Sequence, residues 1–253
     1  MRQTLAFKAG VAGALAGSLS GMLGVGGGFA LVPIFVLWIG IDQKRAHATS
    51  LAAIMPIAAF SATGYAIRGD VNWQAWALVM LGSIVGASYG VKLLHNIPVK
   101  ELKYLFAGVL TLSALRLLWS TQPNQLFESF ASHVLLVLIG FIAGVAAGLL
   151  GVGGGIIIVP ALIMTAGTNS LVARGTSLAV VVGTSIAGSL AHHKRGNIDW
   201  TAAKYAGLSG IPASLIGTYI SGKLDERIAM MFFSVVLLVT AHRMFVSAKD
   251  LPN

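Results

Sequence analysis

The sequence predicts an all-α integral membrane protein: two homologous repeats in inverted topology, each a glycine-broken helical hairpin followed by about three transmembrane helices. Composition supplies the first ground, since 56% of residues are hydrophobic and only 10% charged, where a soluble domain carries about a quarter charged residues. The second is duplication. Gly21 to Pro33 returns at Gly148 to Pro160, 127 residues later, with nine of thirteen positions identical. The third is the distribution of lysine and arginine, taken up below.

The duplication continues without an insertion. Ala46 to Ala52 matches Ala173 to Ala179, Arg68 to Trp73 matches Arg195 to Trp200, and Gly13, Gly17 and Gly21 match Gly140, Gly144 and Gly148. This divides the chain into a first repeat, 1–120, a linker, 121–132, and a second repeat, 133–253, together one transmembrane domain.

Each element follows from its run of apolar residues. Ala9 to Gly40 spans 32 residues, about 48 Å as one helix against a hydrocarbon core of about 30 Å. Consecutive glycines at Gly26, Gly27 and Gly28 divide it, and each glycine costs about 1 kcal/mol relative to alanine inside a helix. Two short helices meeting there would put both ends of the run on one side. Ala46 to Ile67, Gln74 to Val91 and Tyr104 to Trp119 follow as uninterrupted apolar runs. The second repeat offers His133 to Gly167 with its own break, then Ala173 to Leu190, Thr201 to Ser221 and Ile228 to Val246. Pro33, Pro56, Pro160 and Pro212 are expected to kink their helices. No cleavable signal is expected from the first run.

If each broken run is a hairpin, the repeats are inverted and the 17 basic residues divide twelve to five between the two sides. If it crosses once, they divide nine to eight. The positive-inside bias therefore favours inverted repeats in a multi-pass protein with both termini cytoplasmic and a periplasmic linker.

Chemistry is expected at the breaks. Helices starting just after Gly28 and Gly155 would aim free amides and positive dipole ends at a ligand, and glycine lets an anion approach the backbone. The candidate substrate-binding residues are Gly26, Gly27, Gly28, Gly153, Gly154 and Gly155, with Thr49, Ser50, Thr176 and Ser177 as hydroxyl donors. His47 and Arg174 occupy one position of the repeat and complete the set. The alternative for the hydroxyls is bonding within or between helices. The spaced glycines, Gly13 to Gly21 and Gly140 to Gly148, form smooth faces for close packing. A methyl at Gly27 is accordingly expected to leave the fold intact and weaken anion binding, and one at Gly17 to loosen the seam. His192 and His193 are expected on a solvated cytoplasmic rim.

Every acidic residue falls in a connection or at a helix end, so the intramembrane carboxylate common in proton- and sodium-coupled carriers is missing. The chain has no cysteine, which removes disulfides and thiolate sites. No nucleophile, acid–base pair or phosphate loop is present, so the expectation is a non-enzyme without cofactor or metal.

The two motifs Leu23 to Pro33 and Leu150 to Pro160, each followed by Thr-Ser-Leu at 49–51 and 176–178 and by Arg-Gly-x-x-x-Trp, resemble the sulfite exporter TauE/SafE family of membrane permeases. The resemblance spans nearly the whole chain. It implies export of a sulfur-containing anion, sulfite, sulfoacetate or a related sulfonate, across the bacterial inner membrane. The expected partners are that small anion and the lipid bilayer, with no nucleic acid; the oligomeric state is left open, a homodimer among the options. An anion channel and a non-transporting scaffold whose glycines only pack helices are the alternatives.

Overall fold

The computed structural model describes residues 2–93 and 130–249 and, between them, positions 98, 100, 101, 104, 107, 108, 111, 112, 114 and 115. The linker up to residue 129 and most of the run 104–119 lie outside the described residues. Every regular element among the described residues is helical. The first repeat contains α1 (Arg2–Leu23), α2 (Gly28–Ile34) with a π-helical turn (Phe35–Ile39), α3 (Gln43–Ile67) and α4 (Trp73–Leu93). The second contains α5 (Phe130–Leu150), α6 (Gly155–Thr165), α7 (Ser170–His193), α8 (Trp200–Ser221) and α9 (Glu226–Lys249). Six helices, α1, α3, α4, α5, α7 and α9, are long and apolar enough to cross a membrane.

The broken runs differ from two short helices. Arg2 to Lys8 joins the apolar run, so α1 has 22 residues, about 33 Å, and only the returning arm is short. The arms are antiparallel: Gly27 lies against the Ala16 carbonyl, and Lys8 Nζ donates to the Trp38 carbonyl (2.9 Å). Both ends of the run therefore lie together, as expected. Pro33 is followed by the π-helical turn, which ends at Gly40 with φ +81°. The helices α3 and α8 run unbroken through Pro56 and Pro212. Pro56 packs on Gly207, and the image of that pair is Met80 on Gly183.

Each repeat's first helix packs along the other repeat's fourth: α1 on α8 and α5 on α4. Glycine makes this possible. A Cβ at Gly13, Gly17 or Gly21 would overlap the backbone of Ala206, Gly210 or Ser214. At Gly140, Gly144 or Gly148 it would overlap Val79, Ser83 or Ala87, the same contacts shifted by one repeat. This fixes the glycine spacing as a packing seam. α8 is not among those six membrane-crossing candidates but follows α1 throughout.

Helices α3 and α7 form the centre and run in opposite senses. Leu51, early in α3, meets Gly188, late in α7, and Tyr65, late in α3, meets Gly175, early in α7. Two further ties are exchanged between repeats. Arg68 donates to the Thr218 carbonyl (2.8 Å), and Arg195 in its turn donates to that of Val91 (2.5 Å).

Candidate functional site

The breaks require glycine because of their backbone. Gly24, Gly26 and Gly27 have φ of +74°, +84° and +75°, and Gly151, Gly153 and Gly154 have +69°, +82° and +85°, a region that side chains disfavour. The helices restart at Gly28 and Gly155, one residue before the start the sequence predicts. The first bonds of α2 run from the Ala30 and Leu31 amides to the Gly27 carbonyl (3.1 and 3.2 Å), and those of α6 from Ile157 and Ile158 to Gly154 (3.0 and 3.2 Å). Gly28, Phe29, Gly155 and Ile156 thus have amides without an intrahelical acceptor.

The two breaks meet in the core. A Cβ on Gly28 would lie 2.6 Å from the Gly151 carbonyl oxygen, and one on Gly155 2.7 Å from Val25 Cα. Gly26 and Gly153 face the same two side chains: a Cβ would lie 2.9 and 3.0 Å from Val181 Cγ1, and 3.2 and 3.7 Å from Ile54 Cγ2. Gly27 and Gly154 instead face the first arms of their own hairpins, at Ala16 and Ala143. A methyl at Gly27 would therefore strike the α1 backbone while forcing alanine to positive φ. This overturns the expectation that Gly27→Ala separates binding from folding; Gly26 and Gly153 are the glycines that face Val181 and Ile54.

The charged and polar candidates divide between two clusters, one at the end of each first arm. Arg174, 1% exposed, donates from Nη1 to the Met22 carbonyl (3.2 Å) and to Ser221 Oγ (3.0 Å). Tyr65 donates to the Gly21 carbonyl (2.8 Å), and its oxygen lies 2.8 Å from Ser221 Oγ. A cation and hydroxyls thus meet the carbonyl end of α1, where the helix dipole is negative. In the other cluster His47 Nδ1 lies 2.6 Å from the Leu150 carbonyl, His192 Nε2 3.2 Å from that of Gly148, and Ser50 donates to Gly151 (2.9 Å). His47 stands where Arg174 does in the repeat, and His192 where Tyr65 does. From His47 to Tyr65 is about 27 Å along α3, with Ile54 between them.

Thr49 and Thr176 sit at the outer ends and accept hydrogen bonds. Thr49 Oγ1 receives the Asp199 amide (3.0 Å) and Thr176 Oγ1 that of Asn72 (2.9 Å). Asp199 and Asn72 in turn cap α8 and α4 through the Ala202 and Ala75 amides, both at 3.0 Å. Ser177 is wholly buried, and its hydroxyl has no hydrogen-bond partner. The structure thus brings the six glycines together, places Ser50 and His47 at one end and Arg174 at the other, and gives the threonines to ties between the repeats.

Sequence reasoning missed Tyr65, Ser221, His192, Ile54 and Val181. Comparing polar positions across the repeat would have paired Tyr65 with His192, both interrupting apolar runs at one offset. His192 is wholly buried rather than on a solvated rim; only His193 is exposed, its ring 5.5 Å from that of Trp200.

Comparison with known proteins follows this geometry. The sequence profile described as "Sulfite exporter TauE/SafE" matches residues 1–117 and 136–253. The probable membrane transporter protein YjnA of Bacillus subtilis is 26% identical over 242 residues, 90% of this chain and 95% of that protein. A probable membrane transporter protein of Xylella fastidiosa is 25% identical over 236 residues, 90% of each chain. One of Haemophilus influenzae is 37% identical over 128 residues, 47% of this chain and 48% of that protein. No solved structure matches the chain.

Proposed function

The chain belongs to the sulfite exporter TauE/SafE family, and on that premise we propose that it exports a small sulfur-containing anion such as sulfite, sulfoacetate or a related sulfonate. The observation that carries this reading is the convergence of two buried helix breaks, one from each repeat, on the single pair Ile54 and Val181. Arg174 and Ser177 serve the first break, His47 and Ser50 the second, and Thr49 and Thr176 hold the neighbouring helices in place. The protein acts as a transporter rather than an enzyme, without cofactor.

The exchanged contacts and the opposed senses of α3 and α7 support repeats in inverted orientation about an axis through Ile54 and Val181. They also assign the basic residues to faces. Lys44, Arg45, Lys92, Lys194, Arg195 and Lys204 lie where α3 starts and α7 ends, and Arg68, Lys223 and Arg227 lie opposite. That bias supports the first face as the cytoplasmic side of a bacterial inner membrane, with both termini there and the linker 121–132 periplasmic. Of the described acids, Asp42, Asp70, Asp199 and Asp225 lie between helices, Glu226 opens α9 and Glu101 is exposed, which suits export without proton coupling. At −100 mV the membrane potential already favours loss of a monoanion by about 2.3 kcal/mol.

The test is flux of radiolabelled sulfite and sulfoacetate in proteoliposomes. The transport reading expects saturation, counterflow and a response to voltage. Flux that required a pH gradient and ignored voltage would falsify the uncoupled mechanism. In the alternatives, a channel would show neither saturation nor counterflow, and a scaffold would carry neither anion. The closeness of the breaks fits a closed state of the transporter, and flux separates that reading from the scaffold.

A further inference from the structure

Serine and threonine hydroxyls inside membrane helices ordinarily bond back to a carbonyl one turn earlier. Ser18, Thr63, Ser234 and Thr240 do so here, to Ala14, Ala59, Met230 and Val236. Single buried serines without a partner occur on α1 and α3, at Ser20 and Ser61, but on α7 three occur together. Ser177 and Ser185 are wholly buried and Ser189 is 7% exposed, yet none of the three hydroxyls has a hydrogen-bond partner. Buried polar groups are seldom left unpaired, because nothing replaces the water they lose. Thr184, on the same helix, is satisfied by the Val180 carbonyl and Ser83 Oγ, both at 3.0 Å, so the unpaired hydroxyls are not a property of α7 as a whole.

Their spacing gives them a common direction. Arg174, Ser177, Val181, Ser185, Gly188 and His192 recur every three or four residues and so share one face of the helix, with Ser189 one turn beyond Ser185. That buried face runs from the Arg174 cluster to the His192 cluster and passes both breaks at Val181. Hydroxyls are neutral donors: they can replace part of an oxyanion's hydration without holding it as a fixed cation would.

We infer that this face of α7 is the wall of the anion path, with the hydroxyls of Ser177, Ser185 and Ser189 as successive donors to a small oxyanion. The inference rests on the transport reading above and extends it to Ser185 and Ser189. Val181 and its image Ile54 are then the apolar narrowing between the Ser177 and Ser185 stations.

The test compares stability and flux in the full-length chain in proteoliposomes with radiolabelled sulfite. In Ser185→Ala and Ser189→Ala no protein bond is lost, so the melting temperature should equal or exceed that of the wild type. The half-saturation concentration should rise on the order of tenfold as a donor to the anion disappears. Thr184→Ala is the control: it loses bonds within the protein, so its melting temperature should fall while half-saturation holds. Serine variants that match wild-type half-saturation within about twofold would overturn the inference. Serine variants that melt lower would also overturn it, because their hydroxyls would then be structural. Wild-type protein that carries no sulfite overturns the transport reading, and this inference falls with it; wild-type flux with unaltered serine variants overturns this inference alone.

Discussion

Ile54 and Val181 occupy one position of the repeat, 127 residues apart, and each is approached by Gly26 and Gly153, the first of the three consecutive glycines in each break. Both side chains are wholly buried. On the proposed path, an anion passing from the Arg174 cluster to the His47 cluster would have to pass this pair, and apolar constrictions hold a path shut by excluding water.

Val181→Thr keeps the shape of the side chain and adds a hydroxyl. Proteoliposomes holding a chloride gradient should lose it faster with this variant than with the wild type, as water enters the narrowing. Equal leak rates in a folded variant would place the closed point elsewhere.

The seam makes a prediction about stability. Gly17→Ala and Gly144→Ala each press a methyl into a facing backbone, and overpacking of this kind costs about 1–3 kcal/mol. Gly10→Ala, on the same α1 helix, meets nothing within 4 Å and should gain about 0.5–1 kcal/mol from lower chain entropy. Thermal melting in detergent would rank the three, and equal melting of Gly10→Ala and Gly17→Ala would refute the seam.

Thr49→Val and Thr176→Val each leave one amide, of Asp199 or Asn72, without its acceptor. A loss of about 1 kcal/mol in stability is expected for each, with the half-saturation of the surviving protein unchanged. If half-saturation rises instead while melting holds, the threonines touch substrate as well as the neighbouring repeat.

Orientation can be measured without knowing the substrate. Because the chain has no cysteine, Lys223→Cys and Gln43→Cys introduce single thiols at opposite faces. An impermeant thiol reagent applied to whole cells should modify the first and spare the second; the reverse labelling would invert the assignment of faces.

Much of this arrangement is legible in the sequence because the repeat prints each feature twice. Consecutive glycines announce positive φ, glycines every fourth residue announce a close helix pair, and the offset of 127 links them. Direction is what remains hidden. Nothing local tells that Gly27 turns toward Ala16 while Gly26 turns toward Val181, since adjacent left-handed residues project different ways. The threonine hydroxyls read as donors because their partners, the Asp199 and Asn72 amides, belong to the opposite repeat. His192 reads as solvated because charged neighbours follow it, yet a carbonyl of α5 holds it inside. For the threonines and for His192 the deciding contact lies more than forty residues away.

The exchange of first helices between repeats bears on how the chain is made. Ribosomal synthesis delivers α1 long before α8, so the Gly13, Gly17 and Gly21 face waits through nearly two hundred residues for its permanent neighbour. Over the same interval α4 waits for α5 for far less time. The glycine face of α1 thus lacks its final neighbour until residues 200–221 are made. A first repeat released early would carry that face uncovered, and a second unfinished copy would be the nearest thing able to cover it.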